Sequence, residues 1–264
     1  MIQMSQVDFG KTAHDYASHR AGFPDSFFRR LDELGLFAGK PRVLDIGTGT
    51  GTVARGFALK GCDVTGLDPS ESLMGEARVL DQKAGVSIKY VIGAAEKTGL
   101  PDHSFDIITI GQCFHWFDKE KAQQEIKRIL RPGGLLVIAY FDWIHRPGNP
   151  VDEMHTLQKK YNPGWQGTQW PLGFYPQKPG ELTFEGFSSK DSFLYEENIP
   201  YTHIGWRGRM RAYAGIGGSL PKPVVEQFDA EFAEVLKGKF KEDIMLVPHK
   251  VWAEVWQLQQ LTTL

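Results

Sequence analysis

Val43-Leu44-Asp45-Ile46-Gly47-Thr48-Gly49-Thr50-Gly51, followed by Asp68 at the end of the next apolar run, is the stretch whose reading decides the fold. Three glycines spaced two apart are entered from an apolar run and lead into Thr52-Val53-Ala54-Arg55-Gly56-Phe57. This pattern puts a tight turn between a buried strand and a helix, and glycine lets the bare backbone of such a turn touch a ligand. One carboxylate stands two positions before the first glycine and another twenty-one after it. A ligand with an ammonium group and a ribose suits that arrangement.

Outward from the loop, strand and helix alternate. Apolar runs fall at 42–46, 62–67, 87–92, 105–110 and 135–141. Between them, Leu73, Ala77, Leu80 and Ala84 mark a helix capped by Ser70 after Pro69. Ala122, Ile126, Ile129 and Leu130 mark another, ended by Arg131-Pro132-Gly133-Gly134. Such alternation predicts an α/β fold with a doubly wound, mostly parallel sheet, whose ligands gather at the carboxyl ends of the strands. Upstream, residues 24–35 read as a helix that Asp25 can cap, with Phe27, Phe28, Leu31 and Leu34 on one face; with the polar segment Phe9 to Arg20 it forms an N-terminal helical cap. After Phe141 the alternation stops in an aromatic-rich insert, 142–187, dense in proline and glycine. A strand near 191–198, a helix near 222–237 and a last strand near 249–258 then predict an antiparallel C-terminal edge strand. The expected organisation is one domain over 1–264: cap 1–40, core 41–141, substrate-side insert 142–187, and C-terminal elements 188–264.

At 264 residues and 41% hydrophobic the chain can bury a large core. Thirty basic against 32 acidic side chains leave a formal charge of −2, without the basic footprint that phosphate contacts need, so nucleic acid is not an expected partner. No run approaches eighteen apolar residues and the N-terminus lacks a charged head before an apolar stretch, so no membrane insertion and a cytoplasmic location are expected. Cys62 and Cys113 read as reduced thiols in or beside buried strands. No zinc spacing, G-x-S-x-G or G-K-[ST] occurs, so no metal site is expected.

Glycines alone fit several nucleotides. In a dinucleotide site the helix N-terminus faces a pyrophosphate, and a carboxylate at the strand end would repel it. Asp45 sits at that strand end, and position 52, where a third glycine of that motif belongs, is Thr. S-adenosylmethionine has no phosphate and carries an ammonium that a carboxylate can hold. Asp68 suits the hydroxyls of a ribose, a role shared with dinucleotide proteins.

From Val43 to Tyr140 the chain resembles the class I S-adenosylmethionine-dependent methyltransferases, in particular the small-molecule group with ubiquinone/menaquinone and trans-aconitate methyltransferases. The matching pieces are the glycine loop, Gly66-Leu67-Asp68-Pro69-Ser70, Gly93-Ala94-Ala95-Glu96 with Leu100-Pro101, Ser104-Phe105-Asp106, and Leu130-Arg131-Pro132-Gly133-Gly134. The resemblance implies a seven-stranded sheet and S-adenosylmethionine as cofactor, with S-adenosylhomocysteine as product. It also implies that Gly47, Thr48, Gly49 and Gly51 pass under the methionine part and Asp68 binds the ribose. Pro69, Ser70 and Leu73 would border the adenine, Ala95 and Glu96 would meet its amine, and Gln112 would lie beside the methionine. Tyr16 and Arg20 match a Tyr-x-x-x-Arg pattern that closes over the cofactor.

Gln112-Cys113-Phe114-His115-Trp116-Phe117-Asp118 departs from the Asn/Asp-Pro-Pro-aromatic signature of nucleobase amine methylation. A small-molecule acceptor is expected instead. Methyl transfer from a sulfonium is an in-line displacement that needs alignment above all, and a base only for a protic acceptor. His115 is the candidate base; packing is its alternative role. Trp206-Arg207-Gly208-Arg209-Met210-Arg211 reads either as a grip on an anionic substrate or as a helix with a solvated basic face. Rival functions are a nicotinamide-dependent oxidoreductase and a non-catalytic S-adenosylmethionine-binding protein.

Overall fold

Strand β1 (Arg42–Ile46) is the sheet's starting point. Leu44 and Ile46 are buried in one core, and Val43 and Asp45 on the alternate face are buried as well. Burial on both faces is why the strand reads as a continuous apolar run. In the computed structural model, which describes residues 19, 21–165 and 182–259, six further strands join it: β2 (Asp63–Asp68), β3 (Lys89–Ile92), β4 (Phe105–Gly111), β5 (Leu130–Trp143), β6 (Phe187–Thr202) and β7 (Ile244–Leu258). Their order is β3-β2-β1-β4-β5-β7-β6. The pairs β3–β2, β2–β1, β1–β4 and β4–β5 are parallel, so the order reverses between β1 and β4, and in open α/β sheets ligands bind beyond the strand ends at such a reversal.

β7 runs against its neighbours. Gln257 Nε2 donates to Gly133 O near the start of β5, whereas Ile144 N, just past its end, donates to Pro248 O. On the other side His203 N donates to Asp243 O and Gln259 N to Gly186 O, at opposite ends of β6. The mixed, mostly parallel sheet with an antiparallel edge is thus the expected one, with β7 seated inside β6.

The chain divides into two compact units. The first comprises Gly22–Phe141, Leu172–Tyr195 and Val251–Leu264; the second comprises Met1–Ala21, Asp142–Pro171 and Glu196–Lys250. In the first unit, helices α1 (Asp25–Glu33), α2 (Thr52–Leu59), α3 (Glu71–Ala84) and α4 (Lys119–Ile129) flank the strands. Ser70 caps α3 through Leu73 N as expected, but Asp25 lies inside the first turn of α1, whose N-cap is Pro24 without a side-chain bond. Phe28 of α1 packs edge-on against Phe57 of α2. Arg131-Pro132-Gly133-Gly134, read above as the end of a helix, follows α4 as expected and also falls within β5: Leu130 pairs with Phe105 and Leu135 with Ile107, so these four residues bulge out of an extended strand.

The second unit holds α5 (Pro150–Tyr161), α6 (His203–Arg211) and α7 (Lys222–Lys239) around Met154, Trp206, Met210, Phe228, Phe232 and Leu236, all but fully buried. The stretch read as an irregular insert therefore contains a helix. Its signal was Asn149-Pro150, with the asparagine side chain capping Val151 N and Asp152 N and proline at the first helical position. Among the described residues no helix is long and apolar enough to cross a membrane.

A Cβ on Gly56 would lie 2.0 Å from Phe28 Cζ. Gly56→Ala is expected to destabilise the protein by about 1–3 kcal/mol through overpacking. In a Phe28→Ala background the same change should stabilise by up to about 1 kcal/mol, because alanine is the better helix former. Urea unfolding of the four variants checks the change of sign.

Candidate functional site

From Asp45 to His115, the residues singled out from the sequence lie at or just beyond the carboxyl ends of β1, β2, β3 and β4, within the first unit. Gly47 N and Thr48 N both donate to Leu67 O, which turns the chain away from β1 over the end of β2. Gly47, Gly49 and Gly51 adopt φ of +68°, +55° and +75°, a region that side-chain-bearing residues rarely enter. Their surroundings differ. A Cβ on Gly47 would meet Cys113 Sγ at 2.4 Å and one on Gly51 would meet Tyr90 Oη at 2.5 Å, whereas at Gly49 it would meet none of the described residues within 4 Å. The middle glycine is the one that presents bare backbone.

Asp68 grips this loop. Its Oδ2 accepts Gly49 N at 2.8 Å and its Oδ1 accepts Ser70 N at 2.8 Å. Burial raises its pKa, and the Ser70 and Gly49 amides oppose that rise. A carboxylate has about four acceptor positions, so two amides leave room for the hydroxyls of a ribose.

Asp45 is the more unusual group. It is 2% exposed, on a strand flanked by β2 and β4, and its Oδ1 accepts the Thr109 hydroxyl at 2.7 Å from the neighbouring strand. Burial pushes its pKa up to about 6, against the pull of the Thr109 and Thr48 hydroxyls and the Ala54 amide, and the nearby Asp68 adds to the rise. The Thr48 hydroxyl is itself buried without a hydrogen bond of normal geometry. Among the described residues Asp45 takes part in no ion pair. A buried carboxylate and a poorly bonded Thr48 hydroxyl on either side of the β1 end, followed by a glycine turn, fit a ligand that brings a cation and polar atoms of its own.

Around them lie the remaining predicted residues. Leu73 is buried and Pro69 exposed at the start of α3, and Ala95 is buried in the core of the first unit. Glu96 Oε1 accepts Asp118 N at 2.8 Å, so its carboxylate ties the loop after β3 to the loop after β4. Gln112 follows β4 at φ +68°, a strained conformation for a residue with a side chain. Its backbone N donates to Ala139 O, and its side-chain amide donates to Phe141 O. Cys113 Sγ donates to Ile46 O at 3.3 Å, beneath Gly47, rather than filling a distant part of the core. His115 stands in a short 3-10 turn (Phe114–Trp116), its Nδ1 3.5 Å from Tyr140 Oη and its ring beside Trp116. Tyr16 and Arg20 lie outside the described residues.

Sequence reading missed Arg55, Asp81 and Tyr90, which pack behind the glycine loop. The signal was Asp81, four residues after Ala77 on the buried face of α3, where a charge requires a partner. In the second unit Trp206 to Arg211 is helical as expected, but its basic face is paired rather than solvated. Arg207 and Arg211 both bind Asp229 of α7, and Arg209 stacks over Trp143 at 4.6 Å. Arg207 and Arg211 fasten α6 to α7, and Arg209 lies over an aromatic ring. Among the described residues no cluster suited to a metal ion occurs.

Residues 44–138 match the family model described as a methyltransferase domain. The chain is 31% identical over 169 residues to an uncharacterized methyltransferase of Mycobacterium tuberculosis, covering 59% of this chain and 66% of that one. It is 36% identical over 118 residues to the demethylmenaquinone methyltransferase of Thermus thermophilus, covering 43% and 53%. The chain thus spans just under two thirds of the curated relatives it matches first. A candidate type II methyltransferase from Anaeromyxobacter dehalogenans has the same fold, with a TM-score of 0.62 at 20% identity over 91% of this chain and 99% of that one.

Because the folded pKa of Asp45 lies above its unfolded value, the folded state holds this proton more tightly. The resulting penalty is absent below pH 4, grows as pH rises to about 6 and is complete above it. Asp45→Asn removes the penalty, so it is expected to stabilise the protein at pH 7.5 by on the order of 2 kcal/mol relative to its effect at pH 4. Urea midpoints of the two proteins at both pH values test this; a pH-independent difference contradicts it.

Proposed function

Because the chain belongs to the class I S-adenosylmethionine-dependent methyltransferases, we propose that it transfers the methyl group of S-adenosylmethionine to a small-molecule acceptor. The observation that carries this reading is the buried carboxylate of Asp45, which takes part in no ion pair among the described residues, on the strand that leads into the half-buried Gly49 turn. A pyrophosphate would be repelled there, which disfavours the nicotinamide alternative. An ammonium would be held, and would draw the carboxyl back into its ionised state.

In this proposal the backbone of Gly47, Thr48, Gly49 and Gly51 supports the methionine part and Asp45 its ammonium. Asp68 takes the ribose hydroxyls, while Pro69, Ser70, Leu73 and Ala95 border the adenine. The polar edge of the adenine falls to the backbone near Glu96, since the Glu96 carboxylate is engaged with Asp118 N. Gln112, fixed by Ala139 and Phe141, presents its backbone to the methionine side. The cofactor supplies an activated methyl on a sulfonium. The protein's part is to align the acceptor with it and to keep water out. For a protic acceptor, His115, held against Tyr140 through Nδ1, takes the proton on its imidazole.

The family match ends at residue 138, so it supports the donor half of the reaction and leaves the acceptor to the rest of the chain. Kinship with a demethylmenaquinone methyltransferase, over 43% of this chain, makes a quinone-like acceptor one to assay first without deciding it.

S-adenosylhomocysteine is expected to raise the melting temperature and NAD to leave it unchanged. Asp68→Ala should abolish the shift, and an equal response to NAD would reject the cofactor assignment. With an acceptor found by labelled-methyl transfer, His115→Ala should remove the acidic limb of the pH–rate profile if the acceptor is a hydroxyl or ammonium. An unaltered profile assigns His115 to packing.

A further inference from the structure

Behind the glycine loop, three side chains from three different elements meet. Arg55 comes from α2, Asp81 from α3 and Tyr90 from β3. Asp81 is 4% exposed; its Oδ1 accepts Arg55 Nε at 2.9 Å and its Oδ2 accepts the Tyr90 hydroxyl at 2.8 Å. Arg55 has a second contact, since its Nη2 donates to Thr50 O at 2.8 Å and, less closely, to Ala77 O at 3.3 Å. Thr50 lies between the two glycines whose φ values are +55° and +75°. Its carbonyl is therefore pinned within the glycine loop itself.

Tyr90 completes the brace by shape. A Cβ on Gly51 would lie 2.5 Å from its hydroxyl, and one on Gly66 would lie 2.7 Å from its ring. The same ring thus rests on the glycine loop and on β2, two residues before Asp68. Arg78 covers its other side, 5.5 Å from the ring centroid.

A buried ion pair gains little stability over a well-packed apolar core, because desolvation offsets the attraction. What it adds is direction: the planar guanidinium fixes two acceptors at once, at a set angle. Packing alone would fill the space without fixing the orientation of the Thr50 peptide.

We propose that Arg55, Asp81 and Tyr90 form a positioning network for the cofactor loop, holding the Thr50 peptide so that the Gly49 amide stays on Asp68 and the loop keeps its binding shape. This rests on the S-adenosylmethionine reading above. In this proposal the three residues act on the cofactor through the loop.

The test is calorimetric titration of the full chain with S-adenosylhomocysteine, at a temperature well below unfolding. Arg55→Lys keeps a charge for Asp81 but loses the planar second donor to Thr50 O; it should weaken binding roughly tenfold or more. Tyr90→Phe, which keeps the ring and loses only the hydroxyl, should weaken it by a smaller factor. Ile126→Ala, a truncation of a buried core side chain on α4, serves as a control for lost stability and should bind like the wild type. In turnover, the loss should appear as a raised KM for the methyl donor with kcat largely kept. Wild-type affinity in Arg55→Lys, or a loss in Ile126→Ala equal to that in Arg55→Lys, overturns the network's positioning role. Failure of the wild-type chain to bind S-adenosylhomocysteine overturns the cofactor reading itself, and the two failures are told apart by that first titration.

Discussion

The carboxylate of Asp68 is the fixed point of the candidate site. It collects one amide from the glycine loop and one from the start of α3, so two backbone turns that leave different strands are held in register by a single side chain. Only a carboxylate can do this. An asparagine would offer one oxygen and would turn an N–H toward an N–H on the other side, leaving a buried donor unmatched. The main chain adds to the same junction, with Leu67 O taking the amides of Gly47 and Thr48, and Asp68 O taking that of Gly93. The loops after β1, β2 and β3 therefore share one anchor at the end of β2.

Charge around that anchor is unevenly spent. Asp45 and Asp68 are both buried, and each is pushed toward its neutral form by desolvation, while Arg55 behind the loop is committed to Asp81. The loop is thus biased toward a positively charged visitor, which is the electrostatic content of the proposed preference for a sulfonium and ammonium over a pyrophosphate. In the second unit the opposite sign is spent in the same way, with Arg207 and Arg211 sharing Asp229. A run of arginines in sequence is a poor guide to an anion site when a carboxylate from another helix satisfies it first.

Much of the first unit was legible because its signals are local. Strand ends, the glycine turn and the Ser70 cap each follow from a handful of consecutive residues. The misreadings have a common cause in partners far along the chain. Arg207 meets an aspartate 22 positions away, and Asp81 meets an arginine 26 positions before it. At Arg131-Pro132-Gly133-Gly134 the helix stop was legible but the bulge was not, because proline and glycine punctuate both and only the pairing of Leu130 with Phe105 shows the strand. Helix α5 was hidden by composition: prolines and tryptophans on either side outweighed the Asn149-Pro150 start.

The place of β7 bears on how the protein is made. Of the seven strands it is the last in the chain, yet it pairs on both sides, with β5 and with β6. During synthesis β6 emerges first and must wait, sixteen residues long, for the strand that ties it to the sheet. A waiting strand is an invitation to the wrong neighbour. The exposed Ser189, Lys190, Asp191 and Glu196 along its length make it a poor template for other chains in the interval, so solubility on the ribosome is written into an element whose native partner arrives late.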